Sequence, residues 1–264
     1  MNMILKQQYF LKNLMFLKNS SFMKNKRIWL IGASEGIGAA LAKHLAAEHA
    51  QLLLSARNKE RLEHLRTSLP GVGHQLIVLD VSSLESIREA WQTVAAFPPD
   101  IVIYNAGVYT PMDAQHLDIA AVESMLDINL RGAFRVVCTL LPSYLERNKG
   151  HLVLVGSVAG YRGLPSAMGY GASKAGLMHF AENLRADLKR TKIKVQLVSP
   201  GFVKTRLTDK NNFQMPCIIT PDKAAQYIIQ GLRSGVFEIH FPKRFTYLMK
   251  LLRLLPNLLY FRLF

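Results

Sequence analysis

A tyrosine and a lysine stand four residues apart in "YGASK", residues 170–174, with only glycine, alanine and serine between them. On a helix, positions i and i+4 share a face. Tyr170 and Lys174 therefore point the same way over a slim backbone. A free tyrosine has a pKa near 10, and an ammonium one turn away favours the phenolate and lowers that value. Such a tyrosine suits a carbonyl reduced by hydride, which needs a proton delivered to its oxygen. Ser157, thirteen residues upstream in "GSVAG" (156–160), offers a hydroxyl to the developing oxyanion. The bland alternatives are a turn or cap role for Ser157, and two polar residues sharing a helix face by coincidence for the pair.

A second constellation lies near the start. "RIWLI" (27–31) runs straight into "GASEGIG" (32–38), so Gly32, Gly36 and Gly38 fall between a strand and a helix. Glycines there let the backbone approach a pyrophosphate, and the helix N-terminus offers it free N–H groups and a positive dipole end. The end of the second strand decides which nucleotide. An acid would accept from the ribose 2′-hydroxyl of NAD. This chain instead reads "SARNKERL", with Arg57 where the acid is expected. An arginine fork matches a phosphate, which favours NADP. Asp80 in "LDVS" (79–82) is placed to accept from the adenine amino group or to cap the next helix, with Val81 beside it. Asn105, Ala106 and Gly107 end the fourth strand, and the small Ala106 and Gly107 leave room for the cofactor.

Positioning these residues requires a framework, and the apolar pattern supplies one. Continuous apolar runs at 27–31, 51–55, 75–79, 100–104, 151–155 and 194–198 read as strands buried on both faces, with 237–241 as a last strand. Helical patterns fall near 37–49, 58–68, 83–96, 119–147, 167–190 and 222–234. This alternation predicts an α/β fold: a single doubly wound Rossmann-type domain with a mostly parallel sheet of about seven strands and helices on both faces. The domain is expected over 27–242, between a basic apolar N-terminal extension (1–26) and a basic apolar C-terminal tail (243–264).

Composition narrows the classes. Of the net charge of +15, six positive charges lie in residues 1–27 and five in 243–264, with no acid in either stretch. The basic excess thus belongs to the ends, which are Leu-rich rather than polar, and this argues against nucleic-acid binding. Neither end offers an uninterrupted apolar span, and the start lacks a signal-peptide pattern. Basic plus apolar fits a segment lying on an anionic membrane surface. The alternatives are a subunit-packing segment for the C-terminal tail and an upstream start ahead of Met23 for the N-terminal piece. Cys138 and Cys217 are too few for a disulfide framework, which suggests a reducing, cytoplasmic compartment. The eight histidines are scattered without ligand spacing, so no metal is expected.

Several spaced motifs agree with one family. "GASEGIG" (32–38), "LDVS" (79–82), "NAG" (105–107), "DINLRGAF" (127–134), "GSVAG", "YGASK" and "SPGFVKT" (199–205) together resemble the short-chain dehydrogenases/reductases over about 27–241. The resemblance implies a catalytic tetrad of Asn129, Ser157, Tyr170 and Lys174. Lys174 would also hold the nicotinamide ribose, and Asn129, at a helix break, a water that passes protons to Lys174. It implies that Gly32, Ser34, Gly36, Ile37 and Gly38 serve the cofactor turn. Pro200, Gly201 and Val203 would lie against the nicotinamide and Thr205 near its amide or phosphate. Residues 206–220 would form a mobile substrate lid. Two departures stand out: Ile31 replaces the usual threonine, and Tyr104 replaces the first Asn of "NNAG". The resemblance implies NADPH as cofactor, a small carbonyl or alcohol substrate, and a homodimer or homotetramer. A non-catalytic NADP-sensing or membrane-surface scaffold protein is the alternative. Such proteins usually lose the tyrosine or lysine, and this chain keeps both.

Overall fold

The computed structural model describes residues 22–263. Most of the N-terminal extension, 1–21, lies outside the described residues. Seven strands form one sheet: β1 (Arg27–Ile31), β2 (Gln51–Ala56), β3 (Gln75–Val78), β4 (Ile101–Tyr104), β5 (Gly150–Val155), β6 (Ile193–Pro200) and β7 (Glu238–Phe241). Their order is β3-β2-β1-β4-β5-β6-β7 and every neighbouring pair is parallel. Parallel strands need crossovers. These are α1 (Gly36–Ala47), α2 (Lys59–Thr67), α3 (Leu84–Ala95), α4 (Ile119–Leu126) with α5 (Gly132–Glu146), α6 (Met168–Asp187) and α7 (Pro221–Ser234).

Alternation along the strands builds two cores. Trp29 and Ile31 of β1 join a cluster with residues of α3, α5 and α6. Ile28 and Leu30 join another with residues of α1 and α7 on the opposite face. Side chains two apart share a face, so continuous apolar strands feed both layers. The strand order reverses between β1 and β4. In doubly wound sheets that reversal opens a crevice at the carboxyl ends of the strands.

Two elements differ from the sequence expectation. The single helix expected over 119–147 is broken by a π-helical turn, Asp127–Arg131, between α4 and α5. The helical pattern carries no mark of the slip; the family resemblance alone implies the break at Asn129. Packing also extends on both sides of 27–242. Met23 is fully buried in the α1 core. Residues beyond 242 fold as α8 (Lys243–Leu254) and α9 (Asn257–Tyr260), with Met249 and Tyr260 buried. No described helix is long and apolar enough to cross a membrane.

Candidate active site

At the crevice, Asn105 donates from Nδ2 to the carbonyl of Gly32 at 2.7 Å, tying the end of β4 to the glycine turn after β1. Gly32 (φ +84°) and Gly36 (φ +56°) both adopt the left-handed backbone that glycine tolerates best. A Cβ on Gly32 would lie 2.6 Å from the Ala106 amide nitrogen, and one on Gly38 would lie 2.1 Å from the Gly32 carbonyl oxygen. Gly38 is thus a packing glycine that lets α1 approach the turn; it does not face the cleft. Gly32, Ser34, Gly36 and Ile37 do line it. The α1 N-terminus has no side-chain cap, because Glu35 points elsewhere. Its first N–H groups therefore lack the usual side-chain partner.

The cleft occupies about 900 Å³ and runs from this turn past Arg57, Asp80 and Val81 to Asn105, Ala106 and Gly107. Ser157, Tyr170 and Lys174 also line it, as do Pro200, Gly201, Val203 and Thr205. Arg57 is exposed at its rim. Asp80 accepts from the Ser82 amide (2.9 Å) and hydroxyl (2.7 Å). Partial burial opposes ionisation, but these bonds and the charges of Arg57 and Arg135 hold the carboxyl below its usual value. The cap of α3 is Ser83, not Asp80. A Cβ on Gly36 would lie 3.1 Å from the Thr205 methyl, which puts Thr205 at the glycine-turn corner.

Tyr170 and Lys174 occupy the first two turns of α6. Ser157 follows β5, its hydroxyl accepting from the Ala159 amide at 3.1 Å and hydrogen-bonded to the Tyr170 phenol. Lys174 is almost fully buried and donates to the Val155 carbonyl at 2.8 Å. Here one expectation is corrected. The lysine was expected to pull the phenol's pKa down. Instead burial pushes Tyr170 up to about 12, outweighing the Ser157 hydrogen bond. Burial also brings Lys174 down to about 8. Desolvation disfavours the charged form of each.

Asn129 sits in the π-turn, fully buried behind the cleft wall. Its side chain donates to the Val108 carbonyl (3.0 Å) and Ser173 hydroxyl (2.9 Å) and accepts from the Val108 amide (2.8 Å). It thereby fastens the loop after β4 to α6. A Cβ on Gly107 would lie 3.3 Å from Asn129 Oδ1 and 3.5 Å from Lys174 Nζ, so the two converge on that glycine. Tyr104, the departure from "NNAG", donates its hydroxyl to the Ile128 carbonyl at 2.5 Å. It pins the π-turn one residue before Asn129.

Some cleft residues were not singled out from sequence. Glu35, inside the glycine turn, accepts from Arg61 (3.0 Å) and from Arg206 (2.7 Å). Arg61 lies in the first turn of α2, four residues after Arg57. Tyr109 packs edge-on against Tyr170 with ring centres 4.9 Å apart. Its hydroxyl donates to Asn211 at 2.8 Å, and its carbonyl accepts from Lys210 at 2.7 Å. The 206–220 segment thus touches both ends of the cleft, at Glu35 and at Tyr109.

These residues fit a dinucleotide. An uncapped helix end, two left-handed glycines and a Thr205 contact that a Cβ would crowd leave backbone-lined space. Arg57, Arg61, Lys204 and Arg206 border it. Among the described residues no group of three or more His, Cys, Asp or Glu is placed to hold a metal ion.

The family model described as "short chain dehydrogenase" matches residues 26–215. A protein of Myxococcus xanthus named an uncharacterized oxidoreductase is 36% identical over 233 residues, 87% of this chain and 92% of that one. Among solved structures, the closed form of a serine dehydrogenase complexed with NADP+ superposes with a TM-score of 0.73 at 25% identity, covering 83% of this chain and 95% of that one. An alcohol dehydrogenase from the archaeon Thermococcus sibiricus complexed with 5-hydroxy-NADP superposes with a TM-score of 0.74 at 26% identity, over 83% and 96% of the two chains.

Proposed function

The chain belongs to the short-chain dehydrogenase family, and from that premise we propose that it is an NADP-linked oxidoreductase that reduces a carbonyl, or oxidises the matching alcohol, with Tyr170 as general acid or base. The observation that carries this reading is the meeting of Tyr170, Ser157 and Lys174 on one wall of the cleft that starts at the glycine turn.

Gly32, Ser34, Gly36 and Ile37 would hold the pyrophosphate, and Arg57 the 2′-phosphate. Asp80 and Val81 would hold the adenine side, and Asn105 to Gly107 the middle. Pro200, Gly201 and Val203 would lie against the nicotinamide, with Thr205 at the phosphate corner. The serine and alcohol dehydrogenases similar to this chain were solved with NADP+ and 5-hydroxy-NADP, which supports NADP here. When bound, the nicotinamide supplies or takes the hydride. In reduction, Tyr170 gives its phenolic proton to the carbonyl oxygen, and the alcohol results. A phenol held up near 12 keeps that proton at neutral pH until the oxygen becomes basic. Ser157 donates to the same oxygen as charge develops on it. Lys174 holds the ribose and re-protonates the tyrosine, and Asn129 positions the loop beside them.

Phe213 of the 206–220 segment packs against Phe202 with ring centres 5.7 Å apart, and Met215, Ile218 and Ile219 add apolar side chains to the same segment. An apolar, lipid-like ketone or aldehyde suits it. Peripheral contact with a membrane and pairing into a homodimer or homotetramer belong to the same reading. A panel of short- and long-chain ketones, aldehydes and alcohols, assayed with NADPH and NADH, tests it. NADPH-linked turnover of at least one long-chain carbonyl is expected; a panel with no NADPH-linked turnover at all would overturn the reading.

A further inference from the structure

Residues 243–263 are docked firmly on the body, and only their inner side is used. Lys250 pairs with Glu238 at 2.6 Å, and Thr246 bonds the His240 ring at 2.7 Å. The Arg162 guanidinium donates to the carbonyls of Leu252 (3.0 Å), Arg253 (3.2 Å) and Leu255 (2.6 Å), capping the end of α8. It also lies 3.8 Å over the Tyr260 ring, and the Tyr260 hydroxyl donates to the Gly163 carbonyl at 2.5 Å. A segment held at so many points has a fixed outer face.

That face is apolar. Tyr247, Leu248, Leu251 and Leu254 follow one another at helical spacing, and Leu258 and Phe261 beyond Pro256 are exposed as well. Leu254 is 78% exposed and Leu258 70%. Exposed apolar side chains contiguous on this scale mark an interaction surface. Lys243, Arg244, Arg253 and Arg262 are exposed among them, and residues 243–264 contain no Asp or Glu. The nearest carboxylate partner, Glu238, is turned inward to Lys250 and Tyr161.

We infer that the outer face of α8 and α9 docks on an anionic lipid surface, lying in the interface rather than crossing it. The alternative occupant, a second copy of the same face, would bring two basic sets together across a two-fold axis with no acid on either side. Lipid headgroups supply the missing negative charge, and the acyl boundary takes the leucines. The orientation follows from an aromatic chain. Phe245 on the inner side of α8 meets Phe202 at 5.5 Å, and Phe202 meets Phe213 of the 206–220 segment at 5.7 Å. Docking through α8 therefore sets the substrate end of the cleft beside the lipid. The docking deepens the peripheral membrane contact proposed above, and the orientation rests also on the apolar-substrate reading; the catalytic reading depends on neither.

Vesicle co-sedimentation of the full chain tests this without turnover, so a failure here leaves the catalytic reading standing. Wild type is expected to pellet with phosphatidylglycerol-containing vesicles, to pellet less with pure phosphatidylcholine, and to be released as salt rises. Leu251→Glu/Leu254→Glu alters only exposed positions. It should keep the melting temperature and lose vesicle binding by about tenfold or more. Three results overturn the inference: no pelleting of wild type, equal pelleting of the double variant, or a wild-type oligomer that the double variant splits while vesicle binding is absent.

Discussion

The ammonium of Lys174 donates to the backbone carbonyl of Val155 at 2.8 Å and stands 5.8 Å from the centre of the Tyr170 ring. The lysine is thus anchored to β5 and reaches the phenol only across the ring face. That arrangement sets the pH behaviour of the cofactor-free protein. Lys174 falls from 10.5 in the unfolded chain to about 8 in the native one. Below pH 8 it is charged in both states, and the native state carries the cost of burying the charge. Between about 8 and 10.5 the unfolded chain holds the extra proton, so stability rises with pH. Tyr170, raised from 10 to about 12, acts in the opposite sense, and stability falls as pH climbs through that window. The stability difference between Lys174→Met and wild type should therefore shift in favour of wild type as pH rises from about 8 to 10. Urea denaturation at a series of pH values reads it; a gap independent of pH contradicts it.

Tyr104 and Ile128 make a bond that a phenylalanine cannot. Tyr104→Phe leaves the partly buried Ile128 carbonyl of the π-turn without its donor, which should cost about 1–2 kcal/mol. Denaturant unfolding measures the loss directly. A change under about 0.5 kcal/mol would show that the turn holds without the hydroxyl.

Arg57 is the only candidate for a 2′-phosphate contact that the strand end itself presents. Arg57→Ala should weaken NADPH by about tenfold to a hundredfold, the worth of a charge-assisted hydrogen bond. NADH should be almost unaffected. Fluorescence titration with both nucleotides separates the cases, and equal losses would remove Arg57 from phosphate recognition.

Glu35 competes for cations that border the cleft. Glu35→Gln releases Arg61 and Arg206 from it. Because these groups are partly exposed, the gain is modest: NADPH should bind about two- to fivefold tighter at low salt, with the difference shrinking as salt rises. Weaker binding by the variant would mean that Glu35 organises the turn rather than competing for its cations.

The strands, the glycine turn and the Tyr170–Lys174 face could be read from sequence because each is a local pattern: an apolar run, a glycine spacing, an i,i+4 pair. What could not be read depends on partners far apart in the chain. Glu35 meets Arg206 across 171 residues, and Arg162 meets Leu255 across 93. No local spacing encodes either. The π-turn at 127–131 leaves no mark in the apolar pattern, and the break at Asn129 comes only from the family resemblance. Tyr104 looked like a defect against the family motif; its hydroxyl instead fastens the turn next to Asn129. The Tyr170 pKa went the wrong way because the sequence shows a charge one turn away but not the desolvation around it.

Tyr170→Phe offers the most direct test of the catalytic claim. Ring packing against Tyr109 survives the change, so NADPH binding by titration should stay within about threefold of wild type. NADPH-linked carbonyl reduction should fall by at least about a hundredfold, the lower range of general acid catalysis. Turnover within about tenfold of wild type, with the cofactor still bound, would contradict the assignment of Tyr170 as the proton donor.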